Sequence, residues 1–155
     1  MIPPKTILVA TDFSDASGLA LTYARDLARR CGSALHLLHV VTDADVSPGT
    51  EALWGFSETE VQRRWVDEAK AKLAGLCPAE GQEAPPVRTA VEIGPPADGI
   101  LRYAGEHRAE LIVMGTRGRG AVGQLLLGSV AAEVVRRASC PVLTVRDLHR
   151  ALENP

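Results

Sequence analysis

The residues from Leu111 to Ser129 read Leu-Ile-Val-Met-Gly-Thr-Arg-Gly-Arg-Gly-Ala-Val-Gly-Gln-Leu-Leu-Leu-Gly-Ser. A short apolar run stops at Gly115, a glycine-rich segment with Arg117 and Arg119 follows, and Gly128-Ser129 open an amphipathic stretch. This is the order strand, loop, helix N-terminus, and it suits the binding of phosphate. Glycines let backbone N–H groups face an anion without a Cβ in the way. The helix start adds unpaired N–H groups and the positive end of its dipole. Arg117 and Arg119 add formal charge, although surface arginines are common and neither is required by the pattern.

Two better-known glycine motifs overlap this segment, and neither fits. Gly118-x-Gly120-x-x-Gly123 has the spacing of a dinucleotide fingerprint, but that motif belongs directly after a strand, with an acidic residue about 20 positions on. Here it lies inside the loop, and the corresponding position is Leu143 in an apolar run. Gly123 to Gly128 has Walker-type glycine spacing, but Ser129 stands where the lysine belongs. Without that lysine the usual apparatus for γ-phosphate transfer is incomplete. Ser129 has no histidine or acid beside it in sequence, so it reads as a ligand contact and not as a nucleophile.

The elements that must position this loop follow from hydrophobic patterning. Thr6 to Ala10 is a buried-type strand ending at Thr11-Asp12. Ser14 is the expected N-cap of a helix ended by Gly32. Leu35 to Val41 is a second strand. A helix of mixed polarity is expected over about Ser57–Leu76, a third strand over Val87–Ile93 and a helix over Ala97–His107. Glu110–Met114, Gly128–Ala138 and Val142–Val145 are the fourth strand, fourth helix and fifth strand. The strict alternation predicts an α/β fold, an open five-stranded parallel sheet with helices on both faces, doubly wound. Ligands of such sheets bind beyond the carboxyl ends of the strands, where strand order reverses. Thr11-Asp12 and Gly115 end two strands, and both face one crevice if those strands are neighbours. The role of residues 42–56 is left open.

Composition narrows the field. The chain has 155 residues, 46% hydrophobic and 23% charged, as in one soluble domain. The domain core is expected at about residues 5–146, with a polar tail over 147–155. A net charge of -2 and only 4% aromatic residues argue against nucleic-acid binding. A local basic patch from Arg117, Arg119, Arg136 and Arg137 stays open. No run reaches the roughly 18 apolar residues of a membrane span, and no signal-peptide pattern opens the chain. A cytoplasmic protein is expected. Cys31, Cys77 and Cys140 lack disulfide or zinc spacing. His36 and His39 lie three apart on a strand, hence on opposite faces, and cannot form a metal pair. His107 and His149 read as surface residues, and Trp54 and Trp65 as packing residues.

Taken together, these residues resemble the universal stress protein family. Gly115-x2-Gly118-x9-Gly128-Ser129 is the glycine signature of its ATP-binding branch. Ile7-Leu8-Val9-Ala10-Thr11-Asp12-Phe13-Ser14, Leu37-Leu38-His39-Val40-Val41 and Cys140-Pro141-Val142-Leu143-Thr144-Val145 are similar to its first, second and fifth strands. The resemblance implies an adenine nucleotide alpha hydrolase-like fold that binds ATP and acts as a nucleotide-responsive regulator or stress-survival factor. It assigns Asp12 to the nucleoside and the Val40 backbone to the adenine edge. Gly115, Arg117 and Gly118 fall beside the ribose and phosphates, and Gly128, Ser129 and Val130 at the helix start that receives the phosphates. Mg²⁺ would be held through phosphate oxygens, since no carboxylate cage is visible. A homodimer through Val142–Val145 is implied, and an exposed apolar edge strand independently asks for such cover. A slow ATPase or phosphotransferase and a nucleotide-independent interaction module are the competing functions.

Overall fold

The computed structural model describes residues 2–42, 55, 57–78, 84–116 and 127–146. Nine elements follow in order: β1 Thr6–Ala10, α1 Asp15–Cys31, β2 Ala34–Val41, α2 Glu58–Gly75, β3 Val87–Ile93, α3 Pro96–Glu106, β4 Leu111–Gly115, α4 Ser129–Arg137 and β5 Val142–Val145. All strand pairs are parallel, in the order β3-β2-β1-β4-β5. β1 and β4 are therefore neighbours, and the order reverses between them. The expected doubly wound sheet is the one observed.

Alternation along the strands divides the core into two layers. Ile7, Val9, Leu35, Leu37 and Val113 face α1 and α2 and pack on Leu21, Ala24 and Leu73. Leu8, Leu38, Val40, Ile112 and Met114 face α3 and α4 and pack on Ile100, Tyr103 and Val134. Because β1 is covered on both faces and paired on both edges, its sequence can be apolar at every position from Ile7 to Ala10.

The helix boundaries have local causes. Ser14 caps α1 by accepting from the Ser17 N–H, and Gly32 closes that helix in the left-handed conformation at φ 68°. Ser57 and Glu60 form a reciprocal capping box at the start of α2. Pro96 occupies the first turn of α3. β4 begins one residue later than expected, after Glu110, whose N–H donates to the Thr6 carbonyl at 2.9 Å and whose carboxylate accepts the Lys5 N–H at 2.6 Å.

The two strand histidines do lie on opposite faces. His36 meets α3, where its Nδ1 is 3.1 Å from the Tyr103 hydroxyl. His107, expected at the surface, is half-buried, its ring 4.0 Å from that of Tyr103 and 5.5 Å from His36. Across β2 the register neighbours of His36 are Leu8 in β1 and Arg88 in β3. Burial first, then the charges of His107 and Arg88, hold the His36 imidazole below its ordinary pKa of 6.5. The unfolded chain then takes up this proton more readily than the folded one. The contribution is present above pH 6.5 and is lost as the pH falls through the depressed folded value. His36→Gln keeps a polar partner for Tyr103 but does not titrate. Its unfolding midpoint is expected to fall less steeply than wild type on acidification below pH 6.5, measured by denaturant titration. An unchanged slope would place the acid sensitivity elsewhere.

Candidate functional site

The carboxyl edge of the sheet at the β1–β4 boundary is the place to build a site. β1 turns into α1 through a buried polar knot. Thr11 and Ser17 are only 6% and 3% exposed, and their hydroxyls lie 3.0 Å apart. Thr11 Oγ1 also accepts the Phe13 N–H at 3.1 Å. Asp12 Oδ1 accepts the Ser14 N–H at 3.0 Å and the Ser14 hydroxyl. The carboxylate thus sits beside the α1 N-terminus, where the helix dipole favours negative charge.

β1 ends earlier than its neighbour β2. Their register stops at Ala10 and Leu38, and the Thr11 N–H makes the last rung to the Leu38 carbonyl at 2.9 Å. A further parallel rung would join the Thr11 carbonyl to the Val40 N–H. That carbonyl accepts instead from His39 Nδ1–H at 2.8 Å. The Val41 carbonyl accepts from Gly94 on the β3 side, so the Val40 N–H and C=O point to the β1 side, past the end of that strand. The Val40 side chain is 8% exposed and belongs to the α3-side core. Its backbone is therefore the part offered to the crevice.

Gly115 ends β4 on the α1 face, the face it shares with Val113. A Cβ there would lie 3.0 Å from the carbonyl carbon and Cβ of Ala16 and 3.1 Å from the Ser17 nitrogen. Gly115 thus has a packing reason to be glycine, because it lets the first turn of α1 press on the end of β4. The Thr116 N–H then bonds the Val145 carbonyl at 2.9 Å, and the Thr116 carbonyl accepts the Gly128 N–H at 2.6 Å. That bond seats the start of α4 at the end of β4.

α4 differs from α1 and α2 in its cap. Gly128 is the N-cap, with φ -68° and ψ 160°, and supplies no side-chain acceptor. The first intrahelical bond runs from the Ala132 N–H to the Gly128 carbonyl at 2.9 Å. The N–H groups of Ser129, Val130 and Ala131 therefore have no acceptor within the helix. Ser129 is exposed and Val130 half-buried.

Of the residues singled out from sequence, the fold brings Asp12, Val40, Gly115, Gly128, Ser129 and Val130 to one edge of the sheet. Arg117 and Gly118 lie outside the described residues, as do Arg119, Gly120, Gly123, Trp54 and His149. Of the four arginines of the expected basic patch, Arg136 and Arg137 are among the described residues. Arg136 and Arg137 are at the far end of α4, where Arg136 bonds Glu133 at 2.8 Å and Arg137 bonds Asp98 at 2.7 Å. His36 and His39 are held by Tyr103 and Thr11. Among the described residues, no group of three His, Cys, Asp or Glu could hold a metal, and no helix is long and apolar enough to cross a membrane. Sequence reasoning missed Thr11, Ser17 and His39 as the residues that shape the turn. Their roles depend on particular partners, the Thr11 and Ser17 hydroxyls on each other within the turn and His39 on the Thr11 carbonyl across the sheet, and residue type alone carries no such signal.

The fold and this edge define a doubly wound α/β domain with a crevice at its topological switch point. A family model described as the universal stress protein family matches residues 3–146. A universal stress protein of Thermus aquaticus is 38% identical over 144 residues, 92% of this chain and 98% of its own length. The solved structure of the universal stress protein UspA from Lactobacillus plantarum superimposes with a TM-score of 0.74 at 30% identity, covering 92% of this chain and 97% of that one. A universal stress protein solved in complex with cAMP matches with a TM-score of 0.59 at 28% identity, over 92% and 97% of the two chains. The chain belongs to the universal stress protein family.

Gly115→Ala forces a Cβ against the first turn of α1, at 3.0 Å from the Ala16 carbonyl carbon. The change is expected to cost about 1–3 kcal/mol of stability, read as a lower denaturation midpoint. Wild-type stability in this variant would mean that α1 shifts freely and that its first turn is not fixed by β4.

Proposed function

We propose that this protein binds an adenine nucleotide, ATP first among them, across the β1–β4 crevice, and works as a nucleotide-responsive regulator in the cytoplasm. The observation that carries the reading is the uncapped start of α4, with the N–H groups of Ser129, Val130 and Ala131 beside the end of β4. Such a helix start takes phosphate. At the other end of the crevice, the Val40 N–H and C=O offer one donor and one acceptor, a pair that matches the edge of adenine. Asp12 lies between them at a strand end and would accept from ribose hydroxyls. Arg117 and Gly118 join Gly115 on the near side of the phosphates in this reading. Mg²⁺ is bound through phosphate oxygens. The related structure with cAMP supports an adenine nucleotide as a ligand type within the family. A regulator is favoured over an enzyme because Ser129 stands where a phosphate-transfer lysine would be.

Protein purified under native conditions and then heat-extracted is expected to release adenine nucleotide, detected by chromatography. Gly128→Val should remove it, since side-chain bulk then enters where phosphate approaches. Full retention of nucleotide by that variant would sink the phosphate assignment. No binding of ATP to wild type in calorimetry at millimolar nucleotide would sink the whole reading and favour an interaction module.

The same reading includes a homodimer through β5. This strand pairs with β4 on one side, and its Leu143 is 40% exposed. Pairing of β5 with its copy about a two-fold axis would cover the edge. Leu143→Asp places a charge in that contact and should shift wild-type dimers to monomers in sedimentation velocity. A monomeric wild type, or a dimer untouched by the substitution, would remove β5 as the interface.

A further inference from the structure

Phe13 is the one residue in the crevice-forming turn with a backbone conformation that its side chain disfavours. Its φ is +63°, in the left-handed region normally left to glycine, asparagine or aspartate. A strained residue next to a binding group persists only when its surroundings hold it there. Here they do. The Phe13 ring lies 4.5 Å from the His39 ring, and Lys72 Nζ of α2 stands 5.5 Å from the Phe13 centroid. Trp65 and Ala69 of α2 line the same recess. Lys72 is in turn paired with Glu68 at 2.8 Å.

The same His39 that packs on Phe13 donates to the Thr11 carbonyl. The Phe13 N–H is meanwhile turned back onto Thr11 Oγ1. In a continued parallel ladder, the Val40 carbonyl would accept from that Phe13 N–H. Both groups that would otherwise occupy the Val40 rung, the Thr11 carbonyl and the Phe13 N–H, are thus taken by the His39 and Thr11 side chains at the entry to the left-handed turn. That turn sets Asp12 immediately before the bend, with Ser14 fixing its carboxylate.

We propose that Phe13 is a positioning residue for the nucleoside: its ring, seated against His39 and α2, holds the left-handed turn that keeps the Val40 backbone open and Asp12 aimed at the crevice. Phe13 touches no ligand in this account, and the proposal rests on the adenine-nucleotide reading above. It makes α2, on the opposite face of the sheet from α3 and α4, a part of the apparatus that sets affinity.

The test separates holding the turn from merely stabilising the fold. Phe13→Ala removes the ring and keeps the strained Cβ. Phe13→Gly removes the ring and relieves the strain. Phe13→Leu keeps an apolar side chain in the recess. Binding of ATP and of adenosine is measured by calorimetry, and stability by thermal denaturation. The expected result is that Phe13→Gly melts above Phe13→Ala yet binds both ligands no better, each about tenfold weaker than wild type. Phe13→Leu should lie between these and wild type. Equal losses for ATP and adenosine are expected, because the turn acts at the nucleoside end. The proposal is overturned if Phe13→Ala binds like wild type, or if affinity in Phe13→Gly recovers along with stability. If wild type binds neither ligand, the adenine-nucleotide reading itself fails, and the proposal with it.

Discussion

All five strands run the same way, and this constraint organises everything else in the molecule. A parallel strand can return to the sheet only through a crossover, so each strand that feeds a helix does so at the same edge. β1, β3 and β4 deliver the N-termini of α1, α3 and α4 there. Each brings the positive end of a helix dipole and its unpaired N–H groups. The attraction for an anion at that edge is therefore built from backbone and needs little formal charge. A net charge of -2 is no obstacle to it.

Within that edge, the helix starts are not equivalent. Ser14 satisfies an N–H at the start of α1, and a proline opens α3. Only α4 among these three begins at a glycine with no capping side chain and no proline. The difference lies in single residues, and it leaves the N–H groups at the α4 start without a capping side chain. The strand ends are likewise unequal. β2 outruns β1 because an imidazole takes the carbonyl that would have continued the ladder.

The fold was legible in the sequence because buried parallel strands are apolar without interruption, as in Ile7–Ala10 of β1, which folds as expected. The cap of α1 was legible for a similar reason, since Ser14 acts on the N–H three residues on. What escaped was set by contacts between distant segments. His107 reads as a surface residue at the end of a short helix, but the β2–α3 packing brings it onto Tyr103 and His36. Gly115 reads as part of a phosphate loop, and only the approach of Ala16 and Ser17 reveals its packing duty. The left-handed turn at Phe13 has no sequence mark at all, because a phenylalanine there runs against local preference. Arg136 and Arg137 are near the glycine segment along the chain, but a helix of nine residues carries them to its opposite end.

The hydrogen bond between the Thr116 carbonyl and the Gly128 N–H joins the two ends of the intervening segment. Closure of a loop grows only slowly more costly with its length. An inserted or exchanged stretch between these residues would leave the sheet and the start of α4 where they are. The clasp confines the cost of such a change largely to the segment itself. It also marks where a foreign peptide could be grafted with the least disturbance to the rest of the chain.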